Sequence, residues 1–183
     1  LIWRGYYEEE KFQEDVRRII EYYRNNGFLD AVVGGYPRFS DDLKRVDLVV
    51  LIHEGKRYRT EWVKFQGNEL FADDELMQEI PLKPGRPFSP EKLQQSRRRI
   101  GRMYSEIGYL DADPAIRNDG VTAMTIYDPD KGTVRVTFRV DEGPRVFLRE
   151  IRITGNTKTK PNVIRRELRF YPGEAVNMER VRD

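Results

Sequence analysis

The chain repeats itself, and the repeat limits what it can fold into. Residues 54–93 align with residues 142–181 at a constant offset of 88, without a gap. Nine of those forty pairs are identical: Glu54/Glu142, Gly55/Gly143, Arg57/Arg145, Gly67/Gly155, Asn68/Asn156, Glu79/Glu167, Pro84/Pro172, Gly85/Gly173 and Glu91/Glu179. The apolar Val63, Phe65, Leu76 and Leu82 find Ile151, Ile153, Ile164 and Phe170. A second block, Gly27-Phe28-Leu29-Asp30-Ala31, recurs as Gly108-Tyr109-Leu110-Asp111-Ala112 at an offset of 81, so the later copy carries a seven-residue insertion before the offset returns to 88. One structural unit with a period near 85 residues is being reused. Residues 1–55 read as the back of one unit, 56–143 as a whole unit and 144–183 as the front of a third. Units of that size each hold a small core. Both ends cut through a repeat, which reads as an excerpt from a longer protein.

Composition narrows the function classes. With 33 basic and 31 acidic residues the net charge is +2, so global electrostatics do not demand a polyanionic partner. A charged fraction of 35% and a mean hydropathy of -0.74 fit small modules with well-solvated surfaces. The absence of cysteine fits a cytosolic or a periplasmic home. No apolar run approaches the about 18 residues of a membrane helix and no signal-like start is present, so the visible segment reads as soluble. His53 is the single histidine and has no histidine or cysteine partner, which argues against a metal site or histidine catalysis. No nucleophile, base and orienting group share a motif, so neither an enzyme nor a cofactor is expected.

Within one unit the periodicity changes in order. Residues 61–66 alternate with Val63 and Phe65 on one face, and residues 147–154 repeat this, so both read as first strands. Gly67-Asn68 ends the strand. Residues 72–80 form a short helix with Leu76 and Ile80 on one face; Ile164 and Leu168 repeat the pair. After the Pro84-Gly85 turn, Ser89 is a candidate N-cap and Pro90 a first helical residue. The helix that follows carries Leu93, Ile100, Met103, Tyr104 and Ile107 as a stripe and stops at Gly108; the first unit shows Phe12, Val16, Ile19, Ile20 and Tyr23 stopped by Gly27. Two strands come next: residues 29–36 and 112–117 as the earlier ones, and an alternating Val134, Val136, Phe138 and Val140 as the later one, ending at Glu142-Gly143. The order is strand, helix, helix, strand, strand, an α+β module with a three-stranded mixed sheet covered by two helices. In the first unit the last strand is apolar on both faces, because Val49 and Leu51 join Val46, Leu48, Val50 and Ile52.

These motifs, Glu54-Gly55 before Val63-Lys64-Phe65-Gln66-Gly67-Asn68, then Pro84-Gly85, then Tyr104-Ser105-Glu106-Ile107-Gly108-Tyr109, resemble the POTRA (polypeptide-transport-associated) domains of the BamA outer-membrane-protein assembly factor family. Residues 151–168 look most like the front of the last such domain before the membrane barrel, so the three units resemble the third, fourth and fifth of five. The resemblance implies a periplasmic string of modules at the outer membrane of a Gram-negative bacterium, a parent chain with an outer-membrane β-barrel, and partners that are unfolded outer membrane proteins and accessory lipoproteins. It also implies strand addition at an exposed sheet edge, where unpaired backbone groups accept an extended chain largely regardless of its sequence. On that reading the client-strand residues are Ala31, Val33 and Tyr36 of the first unit and Ala112, Ala115 and Ile116 of the second. Pro114 and Arg117 are equally devices that discourage pairing. The loop at 118–132, containing Val121 to Tyr127, either lengthens the edge or blocks it. The connector 142–145 is short enough to be stiff.

Three further features have bland readings. Arg97-Arg98-Arg99 with Arg102 fan around a helix and read as a solvated face. Asp30 and Asp111, both three residues after a helix-ending glycine, read as a shared turn or cap. A KH-like RNA-binding module has the same element order, but its Gly-x-x-Gly loop is here Lys83-Pro84-Gly85-Arg86-Pro87, so nucleic acid is not an expected partner. Within the family, a two-partner secretion pore, a translocation and assembly module or a chloroplast import channel is the alternative.

Overall fold

The structure, a computed structural model, describes residues 7–178. Its elements run α1 (Glu9–Asn25), β1 (Val32–Phe39), β2 (Val46–His53), β3 (Arg59–Gln66), α2 (Asp73–Glu79), α3 (Pro90–Ser105), a 3-10 turn (Leu110–Ala112), β4 (Val121–Asp128), β5 (Thr133–Val140) and α4 (Pro161–Glu167). Strands β1 and β2 form a two-stranded antiparallel sheet; β3, β5 and β4 form a three-stranded sheet in that order. The α+β class and the three-stranded mixed sheet expected from the sequence are present. No helix among the described residues is long and apolar enough to cross a membrane.

The chain falls into two compact units, whose boundary runs across β3, β4 and β5. The first comprises residues up to 63 with 82–93 and 125–136. In it, the α1 stripe places Phe12 and Val16 against Val33 of β1, with Tyr7, Ile19, Ile20 and Tyr23 packed around them. Acidic Glu9 and Glu10 in the first turn of α1 and Arg24 in the last suit the helix dipole. Tyr58, Val63, Leu82, Phe88, Val134 and Val136 are also buried in this unit.

The second unit comprises residues 64–81, 94–124 and 137 onward. Leu76, Ile80, Ile100, Tyr104, Ala112, Val121 and Phe138 are fully buried there. Phe65 stacks on Phe138 with ring centroids 5.8 Å apart, and Phe71 meets Tyr104 edge-on at 4.9 Å. Short α2 is held at its start by a Glu75 carboxylate that accepts the Ala72 N–H at 2.8 Å, and by three acidic residues in its first turn.

Two expectations need correction here. Residues 147–154 form no strand: only an isolated bridge, Phe147 to Ala175, is made. In the whole repeat the equivalent β3 lies beside β5, whereas residues 147–154 find no ladder partner among the described residues. The core-facing side chains are nevertheless in place. Leu148, Ile151, Leu168, Phe170 and Val176 line an apolar hollow of about 210 Å³, and their partners 88 residues earlier, Thr60, Val63, Ile80, Leu82 and Phe88, are buried.

The second correction concerns residues 112–117. They are not a strand: Ala112 closes the 3-10 turn, fully buried, and Ala115 and Ile116 lie in the turn that follows. Buried Asp113 shapes this segment, its carboxylate accepting the Ala115 N–H at 2.9 Å and the Ser105 hydroxyl at 3.1 Å. The strand instead occupies Val121–Asp128, inside the stretch read as a loop. In the first repeat the strand exists but starts at Val32, so Ala31 precedes it.

Candidate functional site

Two strands combine pairing groups with an outer position in their sheets. The first is β1, which pairs with β2 from Val32 opposite His53 to Phe39 opposite Val46. Of the expected edge residues, Val33 lies on it with its side chain buried against α1, Tyr36 lies on it about half exposed, and Ala31 is buried just before it. Gly34, Gly35 and Pro37 interrupt its side-chain surface, and Pro37 brings no N–H. Gly35 is required by close approach: a Cβ there would lie 2.6 Å from the Phe12 ring.

The second is β4, at the outer side of the β3-β5-β4 sheet. Its seven residues from Val121 to Tyr127 include neither glycine nor proline. Val121 is fully buried while Met124, Ile126 and Tyr127 are exposed at 61%, 46% and 49%. The start of β4 is fastened by Arg97, whose guanidinium donates to the carbonyls of Val121 at 2.8 Å and Asn118 at 3.1 Å. Arg99 in turn pairs with Glu79, so two members of the arginine run are structural.

The connectors between repeats form a second construction, and it is duplicated at the level of individual atoms. The Tyr58 N–H donates to the Gly27 carbonyl at 2.7 Å, and the Val146 N–H to Gly108 at 2.8 Å. Arg57 Nε donates to the Asn26 carbonyl and Arg145 Nε to the Ile107 carbonyl, both at 2.9 Å. Gly85 N–H reaches Thr60 O and Gly173 N–H reaches Leu148 O, each at 2.7 Å. Tyr23 and Tyr104 occupy equivalent helix positions. Burial, and second the carboxylates of Glu54 and Glu142, push their phenols above the ordinary tyrosine range. Each repeated Glu of Glu-Gly thus lies near the repeated Tyr of the preceding helix, and Glu142 accepts the Leu70 N–H at 2.9 Å.

The copies differ in their aspartates. Asp30 accepts the Tyr58 hydroxyl at 3.0 Å, a bond that raises the Tyr58 pKa, whereas Asp111 pairs with Arg117, which also holds Asp119 and Asp141 at 2.9 Å each. Both aspartates pack against the connector glycine, Asp30 at Gly55 and Asp111 at Gly143. The single role expected for them is therefore shared in position and different in partner.

A contact that sequence reasoning missed is Asn25. Ser89 Oγ accepts the Lys92 N–H at 3.1 Å, as an N-cap does, and donates to Asn25 Oδ1 at 2.9 Å, which also accepts the Glu91 N–H at 3.0 Å. The last residue of α1 thereby caps the first turn of α3. An Asn25→Ala variant is expected to lose about 1 kcal/mol of unfolding free energy. Asn25→Asp should recover most of it, since the accepting oxygen is retained; urea titrations of the three proteins measure the ordering.

His53 is exposed, and no group of side chains suited to a metal ion occurs among the described residues. The geometry is that of backbone pairing edges joined by bonded connectors. A family model, "Surface antigen variable number repeat", matches residues 4–55, 58–143 and 146–183. The chain belongs to the POTRA family.

The chain is 26% identical over 166 residues to the outer membrane protein assembly factor BamA of Neisseria meningitidis serogroup B, covering 89% of this chain and 20% of that protein. It is 28% identical over 184 residues to a putative outer membrane protein assembly factor of Treponema pallidum, covering 98% and 21%. Among solved structures, the BamA POTRA3-5 crystal structure from Haemophilus influenzae superposes with a TM-score of 0.63 at 25% identity, covering 99% of this chain and 69% of that one. This POTRA chain spans about a fifth of the length of those two relatives.

Proposed function

We propose that this POTRA chain is the periplasmic receptor part of an outer-membrane β-barrel assembly factor, and that it holds unfolded outer membrane proteins by strand addition. Residues 1–55 act as the C-terminal part of one module, 56–143 as a complete module and 144–183 as the N-terminal part of another, with accessory lipoproteins docking on the same array. The observation that carries the reading is β4, a strand free of glycine and proline at the outer side of its sheet, with Met124 and Ile126 exposed beside it. Such an edge presents unpaired N–H and C=O groups, so it accepts many client sequences through their main chains. Its relatives in sequence, named as outer membrane protein assembly factors, support the same role.

Strand β1, with Val33 and Tyr36, is the corresponding edge of the first sheet, with Ala31 at its entrance. Pro37 and the paired glycines make it the weaker template of the two. Ala112, Ala115 and Ile116 lie off the edge and take no part in strand addition.

Site-specific photocrosslinking to an extended ten-residue peptide of alternating apolar and polar residues tests the assignment. Labelling is expected along β4, weaker labelling along β1, and none at Ala115 or Ile116. Successive backbone amides of β4 alternate between β5 and the open side. Of Met124→Pro and Thr125→Pro, one therefore removes only an outward donor, and that variant should keep its thermal unfolding while losing peptide binding by about tenfold. Peptide binding untouched in both variants, or label concentrated at Ile116, sinks the proposal.

A further inference from the structure

The third repeat reverses the charge of an element that the whole repeat contains. Helix α4 (Pro161–Glu167) lies 88 residues after α2 (Asp73–Glu79), residue for residue. Residues 69–81 carry five carboxylates, Glu69, Asp73, Asp74, Glu75 and Glu79, and no basic residue. Residues 157–169 carry five cations, Lys158, Lys160, Arg165, Arg166 and Arg169, and one carboxylate, Glu167. The same backbone tolerates both, so the fold does not dictate the sign. The wider distribution agrees: residues 144–183 hold ten basic and five acidic residues, whereas residues 1–143 hold 23 and 26.

The two faces also differ in what their charges do. Glu75 caps α2, Asp73 accepts an Asn68 amide proton at 2.9 Å, and Glu79 pairs with Arg99. None of the five cations pairs with a carboxylate among the described residues, and all five are exposed. Ile164 and Leu168 turn inward, which leaves the cations on the outer side of the turn and helix. Two apolar side chains stand in the same stretch: Val163 and Tyr171, 52% and 59% exposed.

We propose that this face, residues 158–171, docks on the headgroup layer of an anionic phospholipid bilayer. Five exposed cations on a short turn and helix match a planar array of phosphates, and an exposed valine and tyrosine suit the apolar boundary beneath the headgroups. A nucleic acid is the poorer fit, since single-strand recognition uses a groove with a series of stacking aromatics and this face offers one tyrosine. The proposal is independent of strand addition at β4.

The test is partition of the 183-residue chain onto vesicles of phosphatidylcholine with or without phosphatidylglycerol, at low and high salt. Binding is expected only to the anionic vesicles and should weaken as salt rises. Each cation contributes about fivefold, so replacing all five by Gln should lower the partition coefficient by at least about 100-fold. The same number of substitutions at Arg17, Arg24, Arg86, Arg98 and Arg102 should lower it by less than about threefold. Should the five-residue variant fold poorly, the Arg165→Gln, Arg166→Gln pair alone is expected to show about a 25-fold loss. Equal binding to neutral vesicles, equal sensitivity to the control set, or tighter binding to a single-stranded oligonucleotide than to anionic vesicles overturns it. Peptide crosslinking at β4 should be unchanged in the five-residue variant, so a failure here and a failure of the client-binding reading are separately visible.

Discussion

A Phe138→Ala variant is expected to lose about 3–5 kcal/mol of unfolding free energy. Phe138 is fully buried near the middle of β5, and β5 is the central strand of its sheet, so no edge opens through which the surroundings can collapse. Truncation forfeits the transfer energy of the ring, the stacked contact with Phe65 and the contacts around the void that remains. For a module of about 90 residues that corresponds to a melting shift on the order of 15 °C or more. Phe147→Ala, at a ring 56% exposed, is the matched control and should change stability by less than about 1 kcal/mol. Urea titration of both variants decides it. A Phe138→Ala loss below that of the control would mean that β5 is not the structural centre, and the sheet order would have to be wrong.

Which parts of this fold were legible follows from where side chains carry the information. Phe138 was readable because Val134, Val136, Phe138 and Val140 alternate with Arg135, Thr137 and Arg139, and a strand buried on one face must do so. Ser89-Pro90 announced the start of α3 because cap and first-turn chemistry are local. Residues 112–117 misled because Ala112, Ala115 and Ile116 look like strand residues, while the Asp113 carboxylate that bends them acts through hydrogen bonds to Ser105 and Ala115. The run from Val121 to Tyr127 held the better strand signal, rich in β-branched and aromatic residues, and was masked by its place in an apparent insertion. Asn25 could not have been found by periodicity, since its partner α3 begins 65 residues later and the contact exists only once the repeats are joined. The edge itself is a backbone property and leaves almost no trace in side chains.

Gly120→Ala should be the substitution that separates the edge strand from the rest of the module. A methyl group on Gly120 would fall on the Asp111 carbonyl oxygen and the Ala112 backbone, atoms that belong to the 3-10 turn and cannot rotate away as a side chain could. The same glycine carbonyl accepts the Asp141 N–H at 2.7 Å, and the next residue, Val121, is fully buried as the first residue of β4. Lack of a side chain thus lets the chain cross beneath residues 111–112 and enter the sheet in register. The alternative for the variant is to displace that segment, which would also pull Asp111 from Arg117, the residue that holds Asp141 just after β5. A loss of about 3 kcal/mol is expected. Hydrogen exchange should report faster opening along β4 than along the fully buried positions of β5. If client strands pair with β4, crosslinking of the extended peptide should fall with this variant even at temperatures where the core remains folded. Labelling of β1 should persist, because its ladder with β2 contains none of these contacts. Equal loss at both strands would show that the peptide reads the folded state as a whole and not a particular edge.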